Sequence, residues 1–226
     1  MRFLPGTGLC LGATTTHRAV ETSALVRDHC PILAEAFRSV ANVRVRNQAT
    51  VGGVVAEADY ASDPPCVLAA LDAGVVIQGP RGGRTVPMVD FVTDLYETVL
   101  APDEIVTGVV VPEGDPNVRG AYIKFVTRSS EDRPCVAVAA VMKRRGSTCE
   151  DLRVAVGAVA AAPQRFREIE AIGRGERFGE TLAREVARRY ADAIDPIDDL
   201  RGSSWYRKRV IEVLVRRALE QVGDAP

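Results

Sequence analysis

Arg44-Val45-Arg46-Asn47-Gln48-Ala49-Thr50-Val51-Gly52-Gly53, with Ser62-Asp63 nine residues further on, is the most informative stretch of this 226-residue chain. The apolar periodicity of the preceding segment is lost between Asn42 and Gly53, which predicts a polar loop closing in a glycine pair. Two adjacent glycines let a backbone approach a ligand closely. Successive amides in such a turn can converge into an anion nest, and Thr50 adds a hydroxyl. A diphosphate suits that chemistry. The segment is not a P-loop, since no Gly-Lys-Ser/Thr follows, and its spacing is not the Gly-x-Gly-x-x-Gly of a dinucleotide fold. Taken alone, Thr-x-Gly-Gly is more often a plain turn.

On the N-terminal side, Leu9-Cys10-Leu11 reads as a short strand in an edge fragment. Thr16 can cap a helix carrying Val20, Ala24, Leu25 and Val26, and Pro31 suits the first turn of a second helix. On the C-terminal side, Ser62 caps a helix whose first turn, Asp63-Pro64-Pro65, sets an acid against the positive end of the dipole. Strands at 75–77 and 85–86 flank a turn at 80–83, residues 89–92 give a short helix, and 105–111 is a β-branched run ended by Pro112. Residues 113–117 form a Pro/Gly/acidic connector, so the chain divides into units at 1–116 and 117–226. Strands then follow at 121–126, 136–143 and 152–159, and helices near 165–172, 180–193 and 203–222. The last helix has Val210, Val213, Leu214 and Leu219 as its buried stripe, with Trp205 and Tyr206 as core anchors. The fold class is α+β: a mixed first part, then a three-stranded antiparallel sheet with helices packed on it.

Composition removes several alternatives. Lys+Arg (29) and Asp+Glu (30) cancel to −1, and 46% of residues are hydrophobic, which excludes a disordered tail and a basic nucleic-acid module. An aromatic share of 5% argues against a base-stacking surface. The longest uncharged apolar run, 154–163, falls short of the ~18–20 residues of a spanning helix. Pro5-Gly6 interrupts any leader-like apolar region. Cys10, Cys30, Cys66, Cys135 and Cys149 are odd in number and form no C-x-x-C, so they read as buried cytosolic thiols. Neither His17 nor His29 sits in a metal motif, and no nucleophile constellation is present, so no catalytic residue and no metal ligand is assigned.

Arg46-Asn47-x-Ala49-Thr50-Val51-Gly52-Gly53, then Ser62-Asp63-x-Pro65, then Ala69-Ala70-Leu71-Asp72-Ala73 strongly resembles the FAD-binding medium subunit of the molybdenum hydroxylases, the xanthine dehydrogenase and carbon monoxide dehydrogenase family. The resemblance continues in order through Leu11-Gly12-Ala13-Thr14-Thr15, Leu100-x-Pro102-Asp103-Glu104-Ile105, Tyr122-Ile123-Lys124-Phe125 with Arg128 and Asp132, and Asp199-x-Arg201-Gly202-Ser203-x-x-Tyr206-Arg207. It implies the second lobe of a PCMH-type, vanillyl-alcohol-oxidase-like FAD-binding domain, followed by a C-terminal domain. It also implies a cytoplasmic heteromeric complex with a molybdopterin-binding large subunit and a 2Fe-2S small subunit. The molybdenum cofactor and 2Fe-2S clusters would sit on those partners. FAD on this chain would pass electrons to NAD or a quinone. By the same resemblance Thr50, Val51, Gly52, Gly53 and Val54 would line the diphosphate or ribityl part of FAD, Asp63 would accept from a ribityl hydroxyl, Val106 would pack on the ring system, and Lys124 would lie near the flavin. A fixed cation there lowers the energy of the reduced ring, which gains negative charge near N1. Arg128 is a second candidate, and Glu131 and Asp132 lie in the following loop.

The sequence departs from the family at two places. Val54 stands where the family usually has Asn, so one polar contact to the cofactor is lost. Met1 also sits only a few residues before the Leu9 strand, where the family has an earlier lobe with an Ala-Gly-Gly-Thr-like loop. The expectation is therefore an N-terminally truncated FAD-binding unit, with the alternative of a flavin-free interaction subunit that docks its partners without redox activity. Arg201, Arg207, Lys208, Arg209, Arg216 and Arg217 read either as a solvated helix face or as a docking surface.

Overall fold

A computed structural model describes residues 1–224. Two strands open the chain, β1 (Arg2–Leu4) and β2 (Gly8–Gly12). Six short helices follow: α1 (His17–Thr22), α2 (Ala24–His29), α3 (Pro31–Arg38), α4 (Val43–Gln48), α5 (Val51–Glu57) and α6 (Asp63–Ala70). Next come β3 (Gly74–Gly79), β4 (Gly82–Pro87), the one-turn α7 (Met88–Phe91), the small hairpin β5 (Val92–Asp94) and β6 (Glu97–Thr98), and β7 (Ile105–Pro112). The C-terminal part holds β8 (Val118–Phe125), β9 (Val136–Arg145), β10 (Thr148–Gly157), α8 (Arg167–Glu170), α9 (Glu180–Ala193) and α10 (Ser204–Asp224).

The first sheet runs β1-β2-β7-β3-β4, with every neighbouring pair antiparallel. Period-2 alternation puts Leu9, Leu11, Val75, Ile77, Val109 and Val111 on one buried face, where they join the core of the N-terminal helices. The second sheet, β10-β9-β8, is an antiparallel meander. It is covered on both faces. Tyr122, Ala137, Ala139, Val141 and Ala155 belong to the first core, while Val136, Val138, Ala140, Met142, Val154 and Val156 belong to a second core with α9 and α10. Residues 136–142 are consequently an unbroken apolar run, as burial on both faces requires.

Helix α6 packs on β9 and β10 of the second sheet and against α3 and α5, and all eight of its residues are buried. Its small residues make this possible. A Cβ on Gly157 of β10 would stand 2.9 Å from the Cβ of Cys66, so glycine is required for helix and strand to touch. The Cys66 thiol donates to the carbonyl of Ala155 at 3.3 Å.

Several expectations need correction. Residues 42–53 are two helices rather than a polar loop, because Asn42 and Thr50 cap them: Asn42 Oδ1 accepts from the amides of Arg44 and Val45, and Thr50 Oγ1 from that of Gly53. The single helix expected after Thr16 is two, since Ser23 ends α1 and caps α2. The edge fragment is a β1–β2 hairpin, and the β5–β6 hairpin gave no clear pattern in advance. Cys10 is only half-buried. Trp205 and Tyr206 are exposed, as is Val213, and the buried stripe of α10 runs instead through Ile211, Leu214, Val215, Ala218, Leu219 and Val222. The reason is rotational: fully buried Arg207 fixes which side of α10 faces inward.

Arg207 donates to the carbonyl of Ile197 at 2.9 Å and to Asp199 Oδ1 at 2.6 Å. Asp199 Oδ2 in turn accepts from the Tyr60 hydroxyl at 2.7 Å, which ties α10 to the loop after α5. Burial pushes the Asp199 carboxyl up, but the Tyr60 and Arg207 hydrogen bonds outweigh it and hold the group well below the usual carboxylate range. A depressed carboxylate contributes stability above the unfolded value near 4, and that contribution is lost as pH falls through the lower folded value. Asp199→Ala, which strands the buried Arg207 charge, is expected to cost about 3–5 kcal/mol in urea unfolding at pH 7. Asp199→Asn should flatten the loss of stability below pH ~4, and an unchanged acid limb would remove Asp199 as its source.

Candidate functional site

A cleft of about 660 Å³ opens between the α4–α5 corner and the N-terminus of α6 on one side, and the end of β8 with its following loop on the other. That volume lies within the range of small-molecule and cofactor sites. Thr50, Gly53, Val54, Asp63 and Lys124 all line it. Five of the eight residues singled out from the sequence therefore meet in one place.

The other three do not. Val51 and Gly52 are buried beneath the cleft wall, where their amides donate to the carbonyls of Thr15 (2.9 Å) and Ala13 (2.8 Å). A Cβ on Gly52 would lie 2.5 Å from that of Ala13, so this glycine serves close packing of α5 on the strand-to-helix turn. The Gly53 amide donates to Thr50 Oγ1 at 3.1 Å, and that of Val54 to the Thr50 carbonyl at 3.0 Å. The expected nest of free amides is thus absent at residues 51–54, because the carbonyls of Ala13 and Thr15, the capping hydroxyl of Thr50 and the Thr50 carbonyl take up these donors. Val106 pairs with Ile77 in the first sheet and packs against the first core, away from the cleft.

The cleft floor is an ion pair. Asp63 begins α6, and its Oδ2 accepts from Lys124 Nζ at 3.0 Å while Oδ1 accepts from the Tyr122 hydroxyl at 2.6 Å. Lys124 also donates to the carbonyl of Ser39 at 2.8 Å, which leaves one ammonium N–H free. The two side chains are only 9% and 5% exposed. Burial raises the Asp63 carboxyl above its ordinary range, opposed by the Lys124 ammonium and the Tyr122 hydroxyl. Burial and the Asp63 charge push the Tyr122 hydroxyl up, so it stays a donor.

His17 forms part of the opposite wall and was not singled out as a site residue from the sequence. Its ring stands edge-on to Phe37, and Nε2 lies 3.2 Å from the Thr50 carbonyl. A carbonyl accepts, so Nε2 carries the proton and Nδ1 is left as a buried acceptor without a partner. Burial holds the imidazole below its ordinary value, with the Thr50 carbonyl opposing and Arg46 reinforcing the shift. Arg46 does not reach the cleft. It donates to Glu21 and to the carbonyls of Val40 and Ala41, fastening α4 to α1.

The ionisable lining is acidic, with Glu57, Asp63, Glu131 and Asp132 against Lys124 and Arg133. Arg133 is itself in ion-pair contact with buried Asp59. Such a lining disfavours a diphosphate but suits a neutral group rich in hydroxyls and carbonyls. The hydroxyls of Thr50 and Ser62, the Lys124 ammonium and the Asp63 oxygens offer such a group donors and acceptors. Gly53 leaves the wall open where a side chain would intrude, its Cβ position lying 2.9 Å from Thr50 Oγ1.

Comparison with known proteins gives concordant matches along the chain. Residues 4–114 match the family described as FAD binding domain in molybdopterin dehydrogenase, and residues 121–222 match the CO dehydrogenase flavoprotein C-terminal domain. The glyceraldehyde dehydrogenase medium chain of Sulfolobus acidocaldarius is 34% identical over 96% of this chain and 76% of its own length. The nicotine 6-hydroxylase medium subunit of Paenarthrobacter nicotinovorans is 35% identical over 94% of this chain and 74% of its own. A chain in the structure of carbon monoxide dehydrogenase from Hydrogenophaga pseudoflava superposes with a TM-score of 0.94 at 32% identity, covering 98% of this chain and 76% of that one.

Lys124→Met leaves the Asp63 charge buried without its partner and is expected to cost about 3–5 kcal/mol in urea unfolding. The double variant Asp63→Asn/Lys124→Met should recover most of that loss, and strictly additive costs would show that the pair is not coupled. His17, held below its unfolded value, binds fewer protons folded than unfolded. Stability should therefore fall as pH is lowered from about 6.5 through the folded value. His17→Gln should remove that slope between pH 7 and 5, and a persisting slope would assign it elsewhere.

Proposed function

Because the chain belongs to the FAD-binding medium-subunit family of the molybdenum hydroxylases, we propose that it seats the isoalloxazine and ribityl end of one FAD in the Thr50–Lys124 cleft and serves as the electron-relay subunit of a dehydrogenase complex. In this reading residues 1–116 form the flavin-binding unit and 117–226 the C-terminal unit, and Lys124 brings the second to the first. Thr50, Gly53, Val54, Asp63 and Lys124 are the residues proposed to face the cofactor. The observation that supports the proposal is the buried Asp63–Lys124 pair, both members of which line a cleft of cofactor size.

Bound FAD would supply two-electron and one-electron redox chemistry. Everything else is the work of side chains. Lys124 is a fixed cation that favours negative charge on whatever ring lies against it, and Asp63 holds it in position without neutralising its last donor. Val54 closes part of the wall with an apolar surface. His17, whose protonation burial disfavours, donates from Nε2 to the Thr50 carbonyl and so tethers the cap of α5.

Electrons would arrive from a 2Fe-2S small subunit served by a molybdopterin-binding large subunit, and would leave to NAD or a quinone. A cytoplasmic complex is proposed on the same footing. No described helix is long and apolar enough to cross a membrane.

Gly53→Val, which puts two methyl groups on the cleft wall, is expected to lower FAD affinity at least tenfold, about 1.4 kcal/mol. Cofactor content per chain measures it, and unchanged content would move the flavin away from α5. Lys124→Gln should lower the midpoint potential of the retained flavin by on the order of 30 mV, about 1.4 kcal/mol for a two-electron couple. An unshifted potential would return Lys124 to a purely structural role.

A further inference from the structure

Tyr122 and Tyr190 are both buried, one in each core, and their hydroxyls are used differently. Tyr190 of α9 donates to the carbonyl of Val154 at 2.7 Å, the ordinary way for a core tyrosine to satisfy its hydroxyl. Tyr122 of β8 donates instead to a carboxylate, Asp63 Oδ1, at 2.6 Å. Asp63 lines the cleft and Tyr122 does not. The phenol therefore bears on the cleft through Asp63.

The local sequence explains this geometry. Tyr122 and Lys124 are two residues apart on β8, so both side chains leave the same face of the strand. Across the ladder they stand opposite Ala139 and Ala137, which leave space for a ring and a long amine on that face. Asp63, the first residue of α6, meets both: Oδ1 takes the phenol and Oδ2 takes the ammonium at 3.0 Å. Packing of the Tyr122 ring in the first core fixes the direction of its hydroxyl. Cys66, one turn along α6, brings no competing charge. Burial pushes its thiol up to about 12, and the thiol donates to the carbonyl of Ala155 at 3.3 Å.

A charge-assisted hydrogen bond draws the negative charge of a carboxylate toward the oxygen that accepts it. The phenol on Oδ1 leaves less charge on Oδ2, where Lys124 sits. Without the phenol, Oδ2 would cancel more of the ammonium, and the carboxylate would lose one of the two contacts that set its rotation.

We propose that Tyr122 is a positioning residue of the flavin site, whose hydroxyl sets, through Asp63, how much of the Lys124 charge reaches the cleft. The inference deepens the flavin-seat reading above and rests on it. Lys124 supplies the cation, Asp63 holds it, and Tyr122 limits how far Asp63 cancels it. The phenol thereby favours reduction of a ring seated against Lys124 without touching that ring.

The test uses the full chain loaded with FAD, and reads the flavin midpoint potential and the thermal midpoint of each variant. Tyr122→Phe keeps the ring and removes the donor. It should retain flavin and shift the ratio of reduced to oxidised affinity about threefold against reduction, a fall on the order of 15 mV at about 30 mV per tenfold. Tyr190→Phe, the matched core hydroxyl, should lower the thermal midpoint and leave the potential at the wild-type value. Asp63→Asn removes the charge through which the phenol acts, so adding Tyr122→Phe to it should move the potential no further. That second comparison leaves no buried carboxylate without its donor, and it carries the test if the single variant does not fold. An unshifted potential in Tyr122→Phe, an equal shift in Tyr190→Phe, or an equal shift in the Asp63→Asn background would overturn the proposal, leaving Tyr122 a packing residue and the flavin seat intact. A wild-type chain that takes up no FAD, or a Lys124→Gln variant with the wild-type potential, would overturn the seat itself and the proposal with it.

Discussion

A carboxylate at the start of a fully buried helix must be partnered from outside that helix, and Asp63 finds both of its partners on β8. The relative placement of α6 and β8 is thereby fixed, because losing either partner strands a buried charge or leaves a buried hydroxyl without its acceptor. Gly157 and Cys66 allow the close approach that brings them together. The second sheet then completes the first core with Tyr122 and the alanines of β9, so neither half buries its apolar face without the other. The cleft is what remains where the α4–α5 corner fails to close over this joint.

The same pair sets the electrostatics of the cleft. Lys124 is the cation on the floor, and it is already half-compensated by Asp63. The rim adds Glu57, Glu131 and Asp132. In the proposed reading the acidic rim opposes a dianionic diphosphate, whereas a ring that acquires charge on reduction would gain a hydrogen bond and a nearby cation from Lys124.

Much of this was legible in the sequence. The order of motifs gave the family, the apolar stretch within 136–143 gave a strand, and Ser62-Asp63-Pro64-Pro65 gave the start of α6. What failed did so for identifiable reasons. Helices α4 and α5 are six and seven residues long, too short for a periodic stripe, and their only local signals are the caps Asn42 and Thr50. The glycine pair suggested free amides because a helix was not recognised there. Once α5 forms, its first-turn donors are spent on Ala13, Thr15 and Thr50. Trp205 and Tyr206 read as core anchors of the last helix but are exposed, because the register of α10 follows Arg207, a residue no hydropathy scale would bury. His17 carried no motif, since its importance lies in the contact of its ring with Thr50, 33 residues away.

The position of the flavin ring in a crystal structure of the FAD-loaded complex is the most direct measurement. The ring should lie in the cleft with Lys124 Nζ within hydrogen-bond distance of its pyrimidine edge, the ribityl chain against Thr50 and Asp63, and the diphosphate outside the acidic rim. A diphosphate seated on the amides of residues 51–53, or a ring bound away from Lys124, would contradict the assignment.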